Sequence, residues 1–94
     1  MQPLHHLFAP VRRASEFRPQ VTSLVLFGLN TADGGVVYLT IRYSDYKNDL
    51  IEGDHLMLSL DEAQAYAQDE YGIAPNDWQP LSAVEIKKVD AGIG

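Results

Sequence analysis

Two runs rich in β-branched and aromatic residues, 21–29 and 36–44, flank Asn30-Thr31-Ala32-Asp33-Gly34-Gly35, and this pattern constrains the fold more than any other feature. Asn, Asp and Gly tolerate the positive φ that a tight reversal demands, so the segment predicts a β-hairpin. A symmetric turn sets Leu29 opposite Val36, and two-residue alternation then sorts the side chains onto two faces. One face is expected to carry Leu24, Leu26, Val37, Leu39, Ile41 and Tyr43 as core. The other is expected to carry Ser23, Val25, Phe27, Leu29, Val36, Tyr38, Thr40 and Arg42, with Phe27 directly across from Tyr38. Being only half polar, that second face needs a cover.

The elements around the hairpin follow from local signals. A third strand is expected near His55–Ser59, after a turn or bulge at Gly53. Ser59-Leu60-Asp61-Glu62 fits a capping box, and the two carboxylates suit the positive end of a helix dipole. Ala63, Tyr66, Ala67 and Tyr71 then recur at helical spacing, a stripe of mostly small residues that lets a helix lie close on a sheet. Gly72 and Pro75 end the helix, so it should span 61–71. Leu81–Val89 reads as a last strand with Val84 and Ile86 inward. In residues 1–20, Leu4, Leu7, Phe8 and Val11 have helical spacing that Pro10 interrupts, which leaves a strap or a short helix as a candidate cover. The expectation is one α+β domain over 21–90: a two-layer, mostly antiparallel sheet of about four strands with one main helix on one face, and a frayed tail over 91–94. With 94 residues there is room for a single core.

Charge is distributed unevenly. Residues 45–77 hold nine acids against Lys47 alone, whereas residues 1–44 carry Arg12, Arg13, Arg18 and Arg42 against Glu16 and Asp33. A strongly acidic middle beside a weakly basic N-terminal portion predicts a bipolar molecule. The overall charge of −6 argues against nucleic acid, whose affinity comes from cations neutralising phosphates. The absence of cysteine removes disulfides, thiolate metal sites and thiol nucleophiles, and fits a reducing, cytoplasmic setting. No apolar run approaches the roughly 18 residues of a spanning helix, and no signal peptide is evident, so no membrane partner is expected.

Candidate chemistry is sparse. His5 and His6 are adjacent, and neighbours on one strand or helix point apart, which makes a poor chelate. Asp54-His55 is a carboxylate beside an imidazole without a third group, so a local hydrogen bond is the simpler reading. Asp45, Asp49, Glu52 and Asp54 invite calcium, but an EF-hand frame would put Lys47 at a liganding position. Neither a Gly-x-Ser-x-Gly nucleophile nor a glycine-rich phosphate cradle is present. The expectation is therefore no enzyme, no cofactor and no metal.

The segment Ser59-Leu60-Asp61-Glu62-Ala63 through Tyr71-Gly72-Ile73 to Trp78 resembles small acidic bacterial α+β proteins, among them immunity proteins that neutralise toxins. The resemblance spans about 20 residues and implies a protein that binds through an acidic surface, without assigning any residue. Together with the charge distribution it leads to a non-enzymatic binding domain that faces a basic protein partner. Asp45, Tyr46, Asp49, Glu52, Asp69 and Glu70 are the candidate contacts. The alternative is a self-associating homodimer that buries Val25, Phe27 and Tyr38 against a second copy.

Overall fold

The hairpin forms, but around an odd-numbered loop. In a computed structural model, which describes residues 4–93, the strands 23–30 and 36–45 are joined by the five residues 31–35. The Thr31 N–H donates to the Gly35 carbonyl at 2.9 Å, the Gly34 N–H returns to the Thr31 carbonyl at 3.1 Å, and Gly34 takes φ +88°. Asn30, not Leu29, therefore faces Val36, and the pairing is shifted by one residue from the symmetric expectation. Because side chains alternate, that slip exchanges the two faces of the second strand. Phe27 lies opposite Leu39, and Tyr38 lies opposite Gly28.

The remaining elements complete a five-stranded sheet with a helix on each face. In chain order they are β1 (His6–Pro10), β2 (Ser23–Asn30), β3 (Val36–Asp45), β4 (Leu50–Met57), α1 (Leu60–Tyr71), a 3-10 turn at Pro75–Asp77, β5 (Gln79–Pro80) and α2 (Ala83–Ile93). The sheet order is β4-β3-β2-β1-β5, antiparallel at every pairing. One face packs Leu24, Leu26 and Tyr38 under Ala63, Ala67 and Tyr71 of α1, with Ile73 and Trp78 beside them. The opposite face packs Val25, Phe27, Ile41 and Tyr43 against Leu81 and Val89, with Ile86 of α2 at the margin. A strand apolar on both faces reads as a continuous hydrophobic run, which is what Leu24–Phe27 shows.

α1 follows its local signals. The Ser59 hydroxyl accepts from the Glu62 N–H at 3.0 Å, and Gly72, at φ +69°, closes the C-terminus by donating to Gln68 while Ile73 reaches back to Ala67. Ala63 and Ala67 are wholly buried against the sheet. Ala67→Leu should overpack this contact and lower stability by about 1–3 kcal/mol, read from the urea midpoint; an unchanged midpoint would place the helix further from the sheet than described.

Four expectations are corrected. Leu81–Val89 is not a strand: Ser82 and Glu85 form a reciprocal cap, Ser82 N–H to the Glu85 carboxylate at 3.0 Å and Glu85 N–H to the Ser82 hydroxyl at 3.2 Å. The helix it starts runs through Ile93, so residues 91–93 are its last turn and not a frayed tail. The N-terminal segment is neither a helix nor a cover; β1 enters the sheet between β2 and β5, and α2 supplies the cover. Val25, Phe27 and Tyr38 do not form a dimer face, because the register puts Tyr38 on the opposite side from Val25 and Phe27 and the helices bury all three.

Candidate functional site

The acidic side chains picked from the sequence do not converge. Asp45, Tyr46 and Asp49 sit at the β3–β4 turn, Glu52 lies on β4, and Asp69 and Glu70 stand near the C-terminus of α1. Asp45 accepts from the Asn48 side chain at 2.7 Å, which together with backbone donors holds its carboxyl below the usual range. Asp49, at φ +58°, pairs with Lys88 of α2 at 3.3 Å. Tyr46 packs its ring on Phe8 and Tyr43 and donates its hydroxyl to Glu85 at 2.8 Å, so it serves the interior more than the surface. Burial and the Glu85 carboxylate push its phenol pKa up.

The arginines of the N-terminal segment find partners within the molecule. Arg12 pairs with Asp77 at 3.1 Å, Arg18 approaches Glu52 at 4.0 Å, and Arg13 donates to the Asp69 carbonyl. Buried Ser15 accepts from the amides of Phe17 and Arg18 and donates its hydroxyl to Glu70, which ties this loop to α1. Opposite charges thus meet inside one chain, and the bipolar molecule expected from the sequence is corrected: cations from 1–44 lie across acids from 45–77.

What stays open is the β4 edge. A sheet of order β4-β3-β2-β1-β5 has two edges, and one of them is the two-residue β5, blunted by Pro80. β4 is eight residues long, without proline or lysine, and its outer side has no strand beside it. Leu50, Ile51, Leu56 and Leu58, half of the large hydrophobic residues exposed among the described ones, fall in this stretch; Leu56 is 55% and Leu58 73% exposed. Asp54 and Leu56 share the α2 side of the sheet, opposite Ile41 and Leu39. α2 shares a cleft with Ile51 through Lys88, Ala91 and Gly92 but leaves Leu56 uncovered. Asp54 and, just past the strand, Asp61 and Glu62 are exposed carboxylates. From residue 48 to residue 86 the chain contains no Lys or Arg.

On the α1 side of the same strand, the Arg42 guanidinium, only 7% exposed, is clamped between two β4 side chains. Its Nε–H donates to Glu52 Oε1 at 2.6 Å, and its Nη1–H donates to His55 Nδ1 at 2.6 Å. The guanidinium passes directly over Gly53, where a Cβ would come 2.4 Å from Nη2. His55 packs edge-on against Tyr66, 4.7 Å between ring centres, and the Tyr66 and Tyr71 hydroxyls are 3.5 Å apart. The hydrogen bond from Arg42 holds the Glu52 carboxyl below the usual range. Glu52 is thus a structural counter-ion, and of the residues on β4 it is Asp54 that faces outward.

β4 begins at Leu50, five residues before the His55 start expected from the sequence, and the added residues are what make it a long edge. The available signal was the long interval without Lys or Arg around Leu50-Ile51 and Leu56-Met57-Leu58. Among the described residues there is no cluster of three metal-ligating side chains, and no helix is long and apolar enough to cross a membrane. Comparison of the chain with protein-family models, with curated proteins and with solved structures finds no match.

Proposed function

We propose that the chain is a non-enzymatic protein-binding domain, of the inhibitor or immunity kind, that takes an extended cationic segment of a partner protein along the open edge of β4. The observation that carries this reading is an eight-residue unpaired edge whose exposed side chains are leucine, isoleucine and carboxylate. Edge strands are usually protected by lysine, proline or a covering element. Here the protection is acidic, which disfavours pairing with a second copy of the same strand and favours a strand bearing Lys or Arg opposite Asp54. Main-chain hydrogen bonds would supply affinity, and the exposed side chains of Leu56 and Asp54 on one face of the edge would supply selectivity.

The test uses synthetic octapeptides. A fluorescent alternating Lys/Val peptide should bind, with affinity that falls as salt rises, and an alternating Glu/Val peptide should not. N-methylation at alternate amides along one side of the Lys/Val peptide should abolish binding, while methylation along the other side is tolerated. Asp54→Lys should weaken the cationic peptide about tenfold, by losing one cross-strand attraction and adding a repulsion. Equal binding of both peptides, or a constitutive dimer in sedimentation with β4 amides protected, would remove this reading.

A further inference from the structure

Resting on the edge reading above, we propose that Arg42, Glu52 and His55 form an acid-released latch that holds β4 in its binding-competent conformation. A guanidinium has donors and no acceptor, so the 2.6 Å contact from Arg42 Nη1 requires His55 Nδ1 to present its lone pair. His55 is then a neutral imidazole with its proton on Nε2. Protonation removes the only acceptor in that contact and sets an imidazolium against a guanidinium that is buried and cannot lose its charge. The ring must leave, and its packing on Tyr66 of α1 leaves with it.

The other charged and titratable groups around the ring do not rescue the protonated form. From β3 it faces Arg42; from β4, Glu52; from α1, Tyr66 and, behind it, Tyr71; from the N-terminal loop, Arg18; Asp54, behind the strand, raises its pKa by less than the arginines lower it. Glu52 is engaged by Arg42 and Arg18, and Asp54 is on the other side of the sheet. Burial first, then Arg42 and Arg18, pull the His55 pKa below its ordinary 6.5. A histidine lowered in the folded state contributes stability that is complete above 6.5 and is lost as pH falls. The window opens below pH 6.5.

Gly53 makes the latch local to the edge. The guanidinium lies across the strand backbone only because no Cβ stands there, so Arg42 grips β4 on both sides of its middle, at 52 and at 55. Release therefore loosens residues 52–56, the part of the edge that holds Asp54 and Leu56.

Amide hydrogen exchange on the full chain tests this. After correction for intrinsic rates, the protection of residues 52–56 should fall several-fold between pH 7.5 and 5.5, with a ceiling of about tenfold set by one pH unit below the ordinary imidazole value. His55→Gln, whose amide oxygen still accepts from Arg42 but does not titrate, should abolish the fall. His6→Gln, three strands away, should not. Independently of any variant, the ring nitrogens of His55 at pH 7.5 should show the Nε2–H tautomer by NMR. A pH-independent protection, an equal fall in His55→Gln, or an Nδ1–H or imidazolium ring at pH 7.5 would each overturn the latch. The Lys/Val peptide at pH 7.5 separates the two ideas: if it does not bind there the edge reading fails, while exchange and ring shifts still judge the latch.

Discussion

Val89→Asp is expected to unfold the protein or to lower its stability by about 3–5 kcal/mol, the range for a buried charge left without a partner. Val89 is 3% exposed and packs with Val25, Phe27, Ile41 and Tyr43, where no cation is placed to meet a carboxylate. Val84→Asp, five residues earlier and 76% exposed, should change stability by less than about 0.5 kcal/mol. The pair discriminates between two readings of the same residues. A strand with Val84 and Ile86 inward would make Val84 the sensitive position, whereas a helix capped by Ser82 turns Val84 to solvent and sets Ile86 and Val89 on one stripe. Urea denaturation of both variants is sufficient. If Val84→Asp is the damaging one, the second helical layer is wrong.

Glu52→Leu should lower stability by about 3 kcal/mol, the lower end of the range for breaking a buried ion pair, since the carboxylate keeps some access to water. The loss comes from what remains, because Arg42 would then be a buried cation with His55 as its single acceptor. Adding Arg42→Met should recover at least half of it, since an apolar side chain of similar length needs no counter-ion. Acid should act in the same direction in the wild type. The Glu52 carboxyl is held low by Arg42, so its contribution is present above the ordinary carboxylate range and disappears as pH falls below it. A single variant within about 0.5 kcal/mol of wild type, or a double variant no better than the single, would mean that the guanidinium is solvated and not clamped.

Sequence patterns with a local cause were legible. The capping box at Ser59, the glycine at 72 and the stripe of Ala63 and Ala67 place α1 within one residue of its observed bounds, and its packing on the sheet follows. Ser82-Ala83-Val84-Glu85 carries the same Ser-x-x-Glu signature. The strand expectation rests on the alternation of Val84 and Ile86 alone, a two-point pattern too short to separate a strand from a helix. Of the candidate site, the acidic character of residues 45–77 was legible and its availability was not. Asp49, Glu52 and Asp77 meet Lys88, Arg42 and Arg12, and nothing near them in sequence announces those partners.

By itself the sequence determines an antiparallel hairpin, a capped helix packed on it through alanine, and a single α+β core, because turns, caps and periodicity act over four to eight residues. Tertiary structure alone decided the register, since five loop residues instead of six move every β3 side chain to the other face and so set which residues each covering helix meets. It also decided which charges are free. Coulomb pairing depends on distance through space, so Arg12, Arg18 and Arg42 pair with Asp77 and Glu52, and the exposed carboxylate of Asp54 is left on the edge of β4.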